Sequence, residues 1–164
     1  MIDRVIPEGS YVEIANRKKQ LECDLRARLY LYEEKHRIIV SSVSGIAETG
    51  NPTILPDDIS DEELGRTVCD HLLEFDPNTP RGRPPNPREW PAFRASGARS
   101  VTRFESHSWY VHVETVGVSI RVNANPRKSL HREISVEGIA RPDHANLGAV
   151  IRRALSGAIA LREK

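Results

Sequence analysis

The stretch Ser60-Asp-Glu-Glu-Leu-Gly-Arg-Thr-Val-Cys-Asp-His-Leu72 decides how the rest of the chain is read. Ser60 and Glu63 have the spacing of a capping box. The serine hydroxyl can accept from the Glu63 amide, and the Glu63 carboxylate can reach back to the Ser60 amide. Ile59 before the cap and Leu64 at the fourth helical position make a hydrophobic staple. Asp61, Glu62 and Glu63 suit the positive end of a helix dipole. Leu64, Val68 and Leu72 then recur every fourth residue as an inward stripe. The helix ends at Asp76-Pro77, because the residue before a proline is pushed out of the helical region.

The same pattern recurs further on, with Leu64 and Leu147 standing 83 residues apart. Leu147, Gly148, Ile151 and Leu155 fall in register with Leu64, Gly65, Val68 and Leu72, and Asp143 falls on the cap position of Ser60. Leu147, Val150, Ile151, Ala154, Leu155 and Ala158 give this second helix the strongest amphipathic pattern in the chain. A short strand and a proline turn precede each copy. The pattern predicts a β–turn–helix unit used twice, with a glycine early in each helix where it approaches a strand closely.

The first 44 residues read as strands. Leu21, Cys23, Leu25, Ala27, Leu29 and Leu31 alternate with Glu22, Asp24, Arg26 and Arg28, a half-buried strand of period two. Residues 37–43 are β-branched and form a second strand, with Glu33-Glu34-Lys35 as the turn. Beyond Phe104, residues 109–113 and 116–122 are β-rich. Glu114-Thr115 turns between them, or the whole is one bent strand. Residues 123–126 read as a loop and 133–139 as a further strand. The expected architecture is α+β: a largely antiparallel sheet with two amphipathic helices packed on one face.

Six of the eleven prolines lie in residues 77–91. Proline lacks an amide donor and fixes its φ angle, so this stretch reads as an extended surface connector. The Pro/Arg-rich connector is taken as 77–103, with Trp90 and Phe93 tacking it onto the body. It belongs to one domain spanning residues 1–164. No apolar run approaches the roughly 18 residues of a membrane span. The N-terminus lacks a basic region followed by an apolar one, so the expected compartment is the cytoplasm. Cys23 and Cys69 are too few for a disulfide framework.

Net charge is +1, which excludes a strongly basic nucleic-acid binder by composition. The charges are nevertheless segregated. Residues 45–79 hold nine acids and one base, whereas residues 81–103 hold six arginines and one glutamate. The helix cap accounts for Asp61, Glu62 and Glu63. Asp57, Asp58, Asp70, Glu74 and Asp76 are left either as a docking surface for a basic partner or as a solvated outer face.

Catalytic signatures are sparse. His112 and Glu114 lie two apart on one strand face and could serve as an acid–base pair or as two metal ligands, but no third ligand has a recognisable spacing. There is no Gly-x-Ser-x-Gly, phosphate loop or dinucleotide fingerprint. No cofactor or metal is expected. His71, beside Asp70 on the first helix, needs no special role. The arginines of 81–103 with Trp90 and Phe93 could form a nucleic-acid surface, although the acidic segment next door would repel a polyanion.

Residues 55–68, Leu55-Pro-Asp-Asp-Ile-Ser-Asp-Glu-Glu-Leu-Gly-Arg-Thr-Val, resemble the "LP…SDEELG" segment of contact-dependent growth inhibition immunity proteins of the CdiI type. The strand segment 109–122 and Ser135-Val-Glu-Gly138 extend the likeness, which spans residues 30–75 and 104–156. It covers neither the connector 77–103 nor the first thirty residues. The resemblance implies a small cytoplasmic protein that binds and neutralises the C-terminal toxin domain of a cognate effector, commonly a nuclease. It implies no catalytic residues and carries over no interface residue, since such contacts diverge with the toxin. The alternative is a small nucleic-acid-binding or enzymatic domain built on segment 81–103.

Overall fold

The computed structural model describes residues 10–78, 86–125, 135–141 and 143–162. Arg81 and Arg83 of the connector, His131, and the nine N-terminal residues lie outside them. The elements run α1 (Ser10–Leu21), β1 (Arg26–Tyr32), β2 (Arg37–Ser44), β3 (Ala47–Pro56), α2 (Asp61–Leu73), α3 (Pro91–Ser96), α4 (Val101–His107), β4 (Ser108–Val116), β5 (Ser119–Asn125), β6 (Val136–Ala140) and α5 (His144–Arg162). The six strands form one antiparallel sheet in the order β3-β2-β1-β4-β5-β6.

That order is symmetric. Each half is a three-stranded meander followed by a helix, β1β2β3α2 and β4β5β6α5, and the halves join at β1 and β4. The 83-residue offset that aligns the helices also carries Arg26 to Trp109 and Arg37 to Ile120, inside β4 and β5. The unit used twice is therefore larger than the sequence pattern suggested. Its approximate two-fold axis passes between the Arg28–His112 and Leu29–Val111 pairs of the β1–β4 ladder.

The first face of the sheet is the main core. Ala27 and Leu29 of β1, Ile38 and Val40 of β2, Trp109, Val111 and Val113 of β4, and Ile120, Val122 and Ala124 of β5 all point to it and are buried. The inward stripes of α2 and α5 close over them, with Leu64, Val68, Leu72, Leu147 and Ile151 at most 0% exposed. Ser60 caps α2 as expected, its hydroxyl accepting from the Glu63 amide at 3.2 Å. The Asp143 carboxylate accepts from the Asn146 amide at 3.2 Å at the start of α5.

The two early glycines meet the opposite helix and not a strand. A Cβ at Gly65 would lie 1.8 Å from the His144 carbonyl oxygen, and one at Gly148 would lie 1.9 Å from the Asp61 carbonyl oxygen. His144 and Asp61 are themselves related by the 83-residue offset, so the contact is reciprocal. Arg152 locks it: its Nε donates to Asp61 Oδ1 at 2.9 Å, and its terminal nitrogens donate to the carbonyls of Asp57 and Ile59.

Several expectations are corrected. Residues 10–21 are helical, not strand; among the described side chains of α1 only Ile14 belongs to the buried core, so no stripe announced it. The short strand expected before α2, to which the pattern gives no bounds, is β3, ten residues long and ending at Pro56. The connector is not extended throughout: a 3₁₀ turn at Pro87–Glu89 and helices α3 and α4 occupy most of its described part. Pro91 sits in the first turn of α3, where a missing amide costs no hydrogen bond. The β4–β5 turn falls at Gly117, whose φ of +57° suits glycine, not at Glu114-Thr115. Residues 123–125 continue β5 and are not a loop.

α3 and α4 cover the second face of the sheet, over β2, β3 and the start of β4. Tyr30, Tyr32, Ile39, Ala92 and Phe104 make a smaller buried cluster there, and Trp90 and Phe93 pack against it.

Candidate docking surface

The structure divides the five acidic candidates. Asp57 and Asp58 precede α2; Asp70, Glu74 and Asp76 lie at its far end, about 18 Å away at 1.5 Å of rise per residue. Asp57 holds His36 Nδ1 at 3.0 Å. Glu74 accepts from the Ser42 hydroxyl. Asp76 accepts from the Asn78 amide at 2.8 Å and shares two backbone hydrogen bonds with Val43 and Gly45. Asp58 and Asp70 are exposed. The acids therefore form two separated groups, and three of the five have structural partners.

The second face of the sheet offers a more continuous surface. Because side chains alternate along a strand, the positions between the core residues all point to this face. One cross-strand row reads Ser41, Arg28, His112, Asn123, Glu137; the next reads Arg26, Glu114, Arg121, Ile139. Tyr30 and Tyr110 stand opposite each other in the row above, with ring centroids 5.4 Å apart. Tyr30 is buried under Trp90 and Phe104, while the side chains from Arg26 to Ile139 are half-buried or exposed.

Glu48 anchors the covered edge of this face. Its side chain is 1% exposed. Oε2 accepts from the Tyr30 hydroxyl and from Trp90 Nε1, both at 2.5 Å, and lies 3.5 Å from Arg28 NH1. Among the described residues Oε1 has no hydrogen-bond partner, nor have Arg28 Nε, Ser41 Oγ or Asn123 Oδ1. Burial and then the Glu48 carboxylate push the Tyr30 hydroxyl well above its ordinary pKa. Burial works against the Arg28 charge, but Tyr110, Tyr30 and Glu48 outweigh it.

His112 and Glu114 are brought together, with Nε2 3.6 Å from Oε2. Burial lowers the His112 pKa, against the pull of Glu114. Glu114 is shared, since Arg26 Nε and Arg121 Nε lie 3.8 Å and 3.6 Å from its two oxygens. This is an ion cluster rather than an isolated acid–base pair. No group of three or more His, Cys, Asp or Glu side chains that could hold a metal occurs among the described residues.

His71 has more structure around it than the sequence suggested. It is buried between Ser42 Oγ on Nδ1 and Thr53 Oγ1 on Nε2, each at 2.7 Å. Ser42 gives its proton to Glu74, so the pattern assigns the ring proton to Nδ1 and leaves Nε2 to accept from Thr53. A histidine that donates to the serine cannot take its proton. The group is a polar tie between β2, β3 and α2, without the geometry of a nucleophilic triad. Sequence did not reveal it, because the strand expected before α2 had neither bounds nor a register against β2.

No helix among the described residues is long and apolar enough to cross a membrane. No family model matches the sequence, and no curated protein matches it. Solved structures do match the fold, among them the following two. One is a protein of unknown function from Neisseria meningitidis, with a TM-score of 0.60, 18% identity, and coverage of 83% of this chain and 96% of that chain. The other is a chain of the CdiA-CT/CdiI toxin and immunity complex from Yersinia pseudotuberculosis, with a TM-score of 0.60, 16% identity, and coverage of 81% of this chain and 96% of that chain. The α+β fold described above is thus similar, over nearly the whole of that second chain, to the fold of a component of a toxin–immunity complex.

Proposed function

We propose that the chain is an immunity-type binding module and not an enzyme. It binds and neutralises, in the cytoplasm, the C-terminal toxin domain of a cognate contact-dependent growth inhibition effector, a nuclease in this reading. The observation that carries the proposal is the fold likeness to a chain of a toxin–immunity complex. The "LP…SDEELG" likeness of residues 55–68 supports it independently of the coordinates. Those residues build the capped start of α2 and its seam with α5, so they explain a shared scaffold rather than a shared interface.

Asp57, Asp58, Asp70, Glu74 and Asp76 enter the proposal as charges that draw in a basic toxin domain. Exposed charges of this kind act on the rate of encounter more than on final affinity. Co-expression with the product of the adjacent gene tests the function. Stoichiometric co-purification, with loss of that product's toxicity, is the expected result. Purification of the chain alone with tightly held nucleic acid would instead favour a nucleic-acid-binding domain built on segment 81–103.

A further inference from the structure

Resting on the binding-module reading, we propose that the partner seats its own carboxylates on Arg26 and Arg121, at the open half of the second sheet face. These residues flank Glu114 on β1, β4 and β5, so their Cα atoms stand about 10 Å apart across two strand spacings. Each reaches Glu114 through Nε at 3.6–3.8 Å, and His112 shares the same carboxylate. One carboxylate cannot saturate two guanidinium groups with five donors each. The terminal forks of both arginines form no ion pair or hydrogen bond among the described residues, and their side chains are 47% and 39% exposed.

Arg28 differs. Its NH2 donates to the Ile46 carbonyl at 2.8 Å and its NH1 faces Glu48, so it is fixed as framework. The two neighbouring arginines are held in place by the strands yet retain planar donor pairs suited to a bidentate carboxylate.

The same face argues for a protein partner over a nucleic acid. Glu114 and Glu137 would repel a continuous phosphate backbone, but they leave room for discrete carboxylates. β1, β4, β5 and β6 contain no lysine, while they present arginine and tyrosine. Exposed Ile139, paired with Arg121, adds apolar area at the rim. Arginine and aromatic enrichment with lysine depletion is the composition of a protein–protein contact centre. An acidic loop or strand of the toxin domain is the occupant that fits. The acids of α2 lie on the opposite side of the sheet, so they can guide a basic region of the same partner without competing for the seat.

The test uses Arg26→Gln with Arg121→Gln in the full chain and the toxin domain encoded by the adjacent gene as the probe. Surface-immobilised kinetics should show dissociation at least tenfold faster, with association changed less than twofold. The thermal midpoint should not move, which separates the effect from misfolding. Dissociation within twofold of wild type would overturn the seat while leaving the binding-module reading intact. Absence of a complex with the wild-type chain would overturn both. Loss of co-purifying nucleic acid in the double variant, in place of loss of the protein, would overturn the acidic protein partner.

Discussion

A carboxylate sealed from water, as Glu48 is, must be held by the donors around it. Tyr30 and Trp90 both give it short hydrogen bonds, and its second oxygen has none among the described residues. Removing one donor should therefore cost more than an average hydrogen bond. Tyr30→Phe is expected to lower the unfolding free energy by about 1.5–3 kcal/mol, the range for hydrogen bonds to charged groups. Urea unfolding measures it, and a loss under ~0.5 kcal/mol would show that the carboxylate is not held through Tyr30. The sequence placed Glu48 among nine acids of one segment and gave no sign that it turns inward. The change from Arg26 and Arg28 to Tyr30 and Tyr32 at the same alternating positions was the available signal. It marks where the second face passes from open to covered.

His71 sets a pH dependence at the same scale. Burial lowers its pKa, against Glu74 and Asp70, which raise it. Above the ordinary histidine pKa of about 6.5, folded and unfolded chains are both neutral at this site. Below it the unfolded chain takes a proton that the folded chain resists, so stability falls as pH drops. His112 shifts in the same direction. Stability measured by urea unfolding should decline from pH 7 towards pH 5, and His71→Gln should flatten that decline. An unchanged slope in the variant would remove His71 from the account.

At the scale of elements, the seam between α2 and α5 makes the sharpest demand. Alanine normally improves a helix over glycine by about 1 kcal/mol. At Gly65 and Gly148 the added Cβ would strike a backbone carbonyl of the facing helix, which has no side-chain torsion to rotate away. Gly65→Ala and Gly148→Ala are each expected to destabilise by about 1–3 kcal/mol or more, the overpacking range, despite the gain in propensity. A stabilised variant would mean that the helices cross elsewhere. This seam was half legible. The sequence showed two glycines in register and a close approach, but it assigned the contact to a strand, because a single pattern cannot show that the two helices face each other.

The elements left unread or without bounds share a physical cause. α1 is polar on most sides and lacks a stripe; β3 contains Gly50 and Pro52, which usually break strands. An edge strand pairs on one side only, so it tolerates both. α3 was hidden by prolines that occupy first-turn positions, where they do no harm. The buried stripes of α2 and α5, and the strands β1 and β2, were legible because period and burial agree in them.

At the scale of the whole molecule, two meander–helix halves around an approximate two-fold axis leave one sheet face filled by α2 and α5. The other face is only partly covered by α3 and α4. The asymmetry between the faces, and not the symmetric scaffold, is where a partner can be distinguished. Charge is distributed accordingly: exposed acids lie at both ends of α2, and arginines lie on the open sheet face. Asp58→Lys with Asp70→Lys should slow association with the toxin domain and flatten its salt dependence. Folding should be almost unaffected, because exposed charges contribute little to stability. Glu74 is left native in that variant, since its carboxylate holds the buried Ser42. Stopped-flow association at several salt concentrations reads the effect, and rates equal to wild type at every concentration would leave those acids as a solvated surface.

The central claim is that the chain acts by binding a toxin and silencing it. Titrating the nuclease activity of the purified toxin domain with this protein tests that claim most directly. The account predicts a linear loss of activity that reaches completion at one chain per toxin domain, with no turnover of any substrate by the chain itself. Nuclease activity that persists under a saturating excess of the protein would contradict it.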